Sequence, residues 1–101
     1  MPKVMHSAAG YYVGTADENG FPYSRLSGYY YSRWEAASDC EGINVPDVTK
    51  EIQDELLKAK TLLKQKNPHR LMAKRVKFLE TCLQQVQETN DYPTISWDYS
   101  A

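Results

Sequence analysis

The stretch KAKTLLKQKNPHRLMAKRVK, residues 58–77, decides how the rest of the chain is read. It carries eight Lys/Arg, at 58, 60, 64, 66, 70, 74, 75 and 77, and no Asp or Glu. Asn67-Pro68 stands near its middle. Proline disfavours helical geometry in the residue before it, so a helix arriving from the N-terminal side should stop near Lys66. Asn67 is a good cap and Pro68 a good first-turn residue, so a second helix should start there.

Upstream, Val48, Ile52, Leu56, Ala59 and Leu63 recur at steps of four, four, three and four, with Leu57 and Leu62 widening the stripe. Asn44 can cap this first helix, Pro46 fits its first turn, and Asp47 and Glu51 complement the positive end of its dipole. Downstream, Met72, Val76, Leu79, Leu83 and Val86 form a coiled-coil-like seam with Phe78 and Cys82 on its shoulder. That second helix should end near Thr89-Asn90. So short a joint predicts an antiparallel α-hairpin. Two helices cannot close a core alone, so other parts of the chain or a partner must cover the open side.

The first 44 residues have another character. Eight aromatics fall between Tyr11 and Trp34. Residues 1–9 lack periodicity and read as extended or frayed. Gly10 to Thr15 favours a strand, Asp17-Glu18-Asn19-Gly20 a turn, and Phe21 to Arg25 a returning strand. Pro22 would put that strand at an edge. For Tyr29 to Ala37 the aromatics favour a strand, whereas Ser27 as N-cap and Glu35-Ala36-Ala37 favour a short helix, the preferred reading. From Asp91 onward a non-helical tail carries Tyr92, Ile95, Trp97 and Tyr99, and either folds back on the helices or anchors in another protein. The expected fold is mainly α, with α+β as the alternative. It is a single small domain of 101 residues, built as an antiparallel α-hairpin (45–89). An aromatic-rich N-terminal region (1–44) holds a short β-hairpin, and residues 90–101 form the tail.

Composition narrows the function classes. With 42% apolar and 25% charged residues and a net charge of −1, there is no global drive toward nucleic acid. The charge is segregated, with a positive joint between acidic flanks. Cys40 and Cys82 lie far apart, and two reduced thiols are expected. The N-terminus lacks the apolar run of a signal peptide, and no segment approaches the roughly 20 apolar residues of a membrane span. The cytoplasm is the expected compartment, without membrane association.

Enzyme readings find little support. His6 and His69 belong to no metal or triad pattern, Cys82 sits on an apolar helical shoulder, and no phosphate-cradling glycine loop appears. No catalytic residue, metal or cofactor is expected. The basic run is the strongest electrostatic feature. Its plainest reading is a solvated helix face, but surface helices usually intersperse signs, and this one does not. In the sharper reading Tyr29, Tyr30, Tyr31, Trp34 and Trp97 supply contact area, while Lys64, Lys66, Arg70, Lys74 and Arg75 steer a partner. The aromatics could instead simply form the core. Asn67-Pro68-His69, an X-Pro bond at a loop apex, would suit a peptidyl-prolyl isomerase.

Short length, an aromatic N-terminal part, and a basic helical hairpin with Pro68 at its joint resemble the anti-RecBCD proteins of lambdoid bacteriophages. The resemblance implies a phage-encoded inhibitor or modulator that docks on the RecC subunit of the host RecBCD helicase-nuclease and alters Chi recognition or nuclease activity. It also implies that a host peptidyl-prolyl isomerase engages the loop at Pro68. The alternative is a small DNA-binding regulator using the same basic tip. A hairpin subunit that dimerises through its seam is a third possibility.

Overall fold

Strand-forming chain is concentrated before residue 26. In a computed structural model that describes residues 1–98, β1 (Lys3–Ser7), β2 (Gly10–Ala16) and β3 (Pro22–Arg25) form an antiparallel sheet in the order β1-β2-β3. Helices α1 (Arg33–Ala37), α2 (Val45–Leu63) and α3 (Met72–Thr89) follow. The fold is therefore α+β, which corrects the mainly α expectation. The chain divides into two compact units, Met1–Gly42 and a second from Ile43 onward. No helix among the described residues is long and apolar enough to cross a membrane.

In the first unit the expected hairpin gains a third strand. Residues 3–7, read as extended or frayed, pair along β2 from Lys3↔Gly14 to Ser7↔Gly10. The expected strand over residues 10–15 is present, and β3 takes the edge position that Pro22 demands. The turn before β3 is built by Asp17, whose Oδ1 accepts the N–H groups of Asn19 and Phe21 at 2.9 Å each. Gly20 supplies the positive φ of 83° there. Gly14 solves a different problem. A Cβ at this position would sit 2.5 Å from the Ser24 carbonyl oxygen and 2.9 Å from the Tyr12 ring, so only glycine lets β3 and Tyr12 close in.

The aromatic segment splits in two. Tyr30 makes a bridge with Tyr11, its N–H donating to the Tyr11 carbonyl at 2.7 Å and its carbonyl accepting in return at 3.0 Å. The helix then covers only Arg33–Ala37 and its N-cap is Ser32, not Ser27. Ser27 has other work, since its Oγ accepts the Val13 N–H at 2.8 Å. Tyr12, Val13, Trp34, Ala36 and Ala37 are buried, and α1 packs on β1 and β2.

The second unit follows the apolar stripes. Asn44 caps α2, its Oδ1 accepting the Asp47 N–H at 3.2 Å, with Pro46 in the first turn. Val48, Ile52, Leu56 and Ala59 are buried against α3, while Leu57 is left exposed. On α3 the buried line is Val76, Leu79, Cys82 and Val86, so Cys82 belongs to the seam and Leu83 to its shoulder. Asn90, left-handed at φ 55°, closes the helix with its N–H on the Val86 carbonyl at 2.9 Å. Cys40 and Cys82 are reduced thiols.

Beyond α3 the tail folds back. The Thr94 N–H donates to Gln85 Oε1 at 3.0 Å, and Trp97 is buried with its ring 5.2 Å from that of Phe78. Tyr99, expected to share this role, lies outside the described residues.

Candidate functional site

The joint between α2 and α3 is longer than Asn67-Pro68 suggests. Helix α2 stops at Leu63, three residues before the expected end, and α3 begins at Met72. The intervening residues 64–71 are irregular. Asn67 does not cap α3. It takes a left-handed φ of 59°, a conformation that asparagine tolerates because its short amide can hydrogen-bond locally. The cap position is Leu71, and the ring of His69 does the local bonding by accepting the Leu71 N–H on Nδ1 at 3.1 Å. The bond before Pro68 is trans.

This backbone sets apart two kinds of cation. Lys64, Lys66, His69 and Arg70 are exposed on the loop. Lys58, Lys64, Lys66, Arg70 and Lys77 have no ion-pair partner among the described residues. The remaining three of the basic run are engaged. Lys60 Nζ lies 3.7 Å from Glu80. Arg75 is buried, and its Nε and Nη2 reach Glu55 Oε2 at 2.9 and 2.8 Å. Its guanidinium also sits over the rings of Phe78 and Trp97, at 5.1 and 5.0 Å. Lys74 Nζ lies 5.6 Å from the centre of the Trp97 ring.

The expected partner-binding set is thus divided by burial. Lys64, Lys66 and Arg70 are accessible together with Asn67, Pro68 and His69. Arg75 and Trp97 belong to the packing of α3 against the tail, and Trp34 is only 4% exposed in α1. These three build the fold, which corrects their assignment to an outward contact surface. Tyr29 and Tyr31 remain exposed, and Tyr30 is half-buried with its hydroxyl donating to the Asp39 carboxylate. That hydrogen bond, with burial and the nearby charges of Asp39 and Glu35, pushes the Tyr30 phenol up to about 12.

Sequence reading missed the larger exposed apolar groups. Phe21, Tyr23 and Leu26 are 67%, 79% and 58% exposed, on or beside the edge strand β3. A strand of four residues beginning with proline was a signal that little would cover them. The Cys40 thiol is pushed up by burial first and then by Glu41 and Asp39, the direction opposite to an activated nucleophile. An open cavity of about 270 Å³ lies between α3 and the tail, lined by Lys74, Lys77, Phe78, Thr81, Ser96, Trp97 and Asp98.

No protein-family model matches this chain, and neither the curated proteins nor the solved structures contain a significant match to it.

Proposed function

We propose that this chain is a phage-type, non-catalytic modulator that acts by adhesion on a bacterial helicase-nuclease in the host cytoplasm. RecBCD, through its RecC subunit, is the first partner to test. The observation that carries the reading is the joint. Lys64, Lys66 and Arg70 stand exposed, with no counter-ion among the described residues, on eight irregular residues held between two packed helices. Cations kept in place but not neutralised suit an acidic protein groove, where they speed encounter and fix orientation. The choice of RecBCD comes from the resemblance to anti-RecBCD proteins. The trans Asn67-Pro68 bond, exposed beside His69, is where a host prolyl isomerase would engage.

The test is capture of purified RecBCD by the full chain, followed by a Chi-dependent nuclease assay. Joint replacement of Lys64, Lys66 and Arg70 by Glu should abolish capture, while the unfolding free energy changes by less than about 0.5 kcal/mol per site, as for exposed positions. Undiminished capture would reduce the joint to a solvated loop. Pro68→Ala should leave the fold intact and remove isomerase association.

A second reading, direct DNA binding through the same loop, rests on the same cations. It predicts binding without any protein partner, weakening with salt at a slope of about −0.9 per phosphate contact on duplex DNA.

A further inference from the structure

Independently of that reading, and in the other unit of the chain, we propose that one face of the sheet is a stacking platform for single-stranded nucleic acid. Lys3 pairs with Gly14, and Gly14 with Arg25, so the three lie in one row across the sheet and on one face. Past Thr15 the ladder shifts register, Thr15 pairing with Ser24 and Ala16 with Pro22, so Tyr23 is the extra residue of a bulge two positions from Arg25 on the edge strand. Tyr29 joins them, with the Arg25 guanidinium 4.6 Å above its ring and the Tyr12 ring edge-on to it at 5.7 Å.

Each element of this face suits a nucleotide. Tyr23 is 79% exposed and has no ring partner among the described residues, so its π-face is open to a base. Lys3 and Arg25 are exposed and have no acidic partner among those residues. Their backbones lie about 10 Å apart across two strand spacings, with a glycine between them. The floor of that gap is the edge of Tyr12 and the Met5 sulfur, which approach Gly14 so closely that a Cβ there would be 2.9 and 3.3 Å away. Contact with the Tyr29 ring holds the Arg25 guanidinium in place while its N–H groups can still donate to a phosphate.

Residues 1–42 hold more acids than bases, so an anionic ligand depends on where the acids are held: Asp39 accepts from the Tyr30 hydroxyl and Glu35 is buried. Asp17 turns its carboxylate into its own turn, and Glu41 pairs with Arg33 at 3.3 Å. An aromatic ring beside cations on a sheet is the arrangement that takes unpaired bases without sequence preference. A duplex would not serve, because its bases are not available to stack. Strand addition by a peptide is disfavoured, since β3 has four residues and its first is proline, which offers no donor.

The experiment is fluorescence anisotropy of a labelled oligodeoxythymidine with the full chain, at low and rising salt. The expected result is binding with a salt slope of about −0.7 per phosphate contact, as for single strands. Tyr23→Ala and Arg25→Glu should each weaken it by on the order of ten-fold, while Tyr23→Phe keeps most of it because the ring is retained. The joint variant with Lys64, Lys66 and Arg70 changed to Glu should bind the oligonucleotide within a few-fold of the parent. Circular dichroism checks that each variant is folded. No binding at low salt overturns the proposal, and so does binding indifferent to Tyr23→Ala and Arg25→Glu. Loss of binding in the joint variant alone would move the nucleic-acid site to the loop. If Tyr23→Ala weakens capture of RecBCD and leaves the oligonucleotide untouched, the face is a protein contact and the proposal falls. The oligonucleotide outcomes do not depend on whether the joint captures RecBCD.

Discussion

The two units are held together by different physics. Residues 1–42 rely on shape: a tight Gly14, aromatic rings, and turns set by Asp17 and Gly20, with Arg33–Glu41 as an exposed ion pair. The helical unit relies on aliphatic stripes and on an ion pair half-sunk in the packing, Arg75 with Glu55. Steric constraints of the first kind tolerate salt and pH but not added atoms. A charge pair sunk in the packing does not tolerate the loss of one partner. The comparison teaches where each unit is brittle.

The largest effect should come from the first unit's core. Trp34→Ala removes a ring only 4% exposed and should cost about 4 kcal/mol in urea unfolding followed by far-UV circular dichroism. A loss below about 1 kcal/mol would mean that aromatic packing does not hold this unit. Next, Arg75→Ala removes the guanidinium that pairs with Glu55 and uncovers Phe78 and Trp97, for an expected cost of about 3 kcal/mol. The double change Arg75→Met with Glu55→Gln should recover most of that, because the pair's own net contribution is small once both charges are gone. If the double variant is as unstable as the single one, the ion pair itself, and not the charge left at Glu55, is the strong element.

Gly14→Ala should cost about 1–3 kcal/mol, since the atoms it meets include the Ser24 backbone carbonyl, which cannot rotate away. The same change at Gly28, which has open space around it, is the control. The smallest effect concerns pH. With the Tyr30 phenol pushed up to about 12 by Asp39, the unfolded chain releases its proton near 10 while the folded chain keeps it. The stability this interaction contributes is therefore complete below pH 10 and is lost as pH rises from 10 to 12. Tyr30→Phe should flatten the stability profile over that range; an unchanged slope would show that the Asp39 contact does not bias the titration.

Much of the helical unit was legible because its signals are local. Asn44, Pro46 and the Val48-Ile52-Leu56-Ala59 stripe each act within a turn or two, and α2 begins where they place it. The sheet was less legible. β1 has only Val4 and Met5 as strand-favouring residues. The turn signal that joins it to β2 is confined to Ser7, whose Oγ accepts the Ala9 N–H, and to Gly10 at a φ of 136°, so its pairing depends on a partner strand that local pattern does not show. Ser27 looked like a cap, but a distant N–H, that of Val13, claimed its hydroxyl. The basic run misled in a specific way. Counting within residues 58–77 found no acids, yet Glu55 and Glu80 sit just outside that window, and the packed helices bring them to Arg75 and Lys60. Trp97 read as an outward anchor for a similar reason, because only the fold-back of the tail buries it.

The irregular joint has one more consequence. Lys64, Lys66 and Arg70 precede bonds that no helix or strand protects, whereas Lys60 and Arg75 lie inside helices. Trypsin should therefore nick the chain first at this loop. A bound partner would slow that cleavage, and the pattern of protected bonds would trace its footprint without changing a single residue.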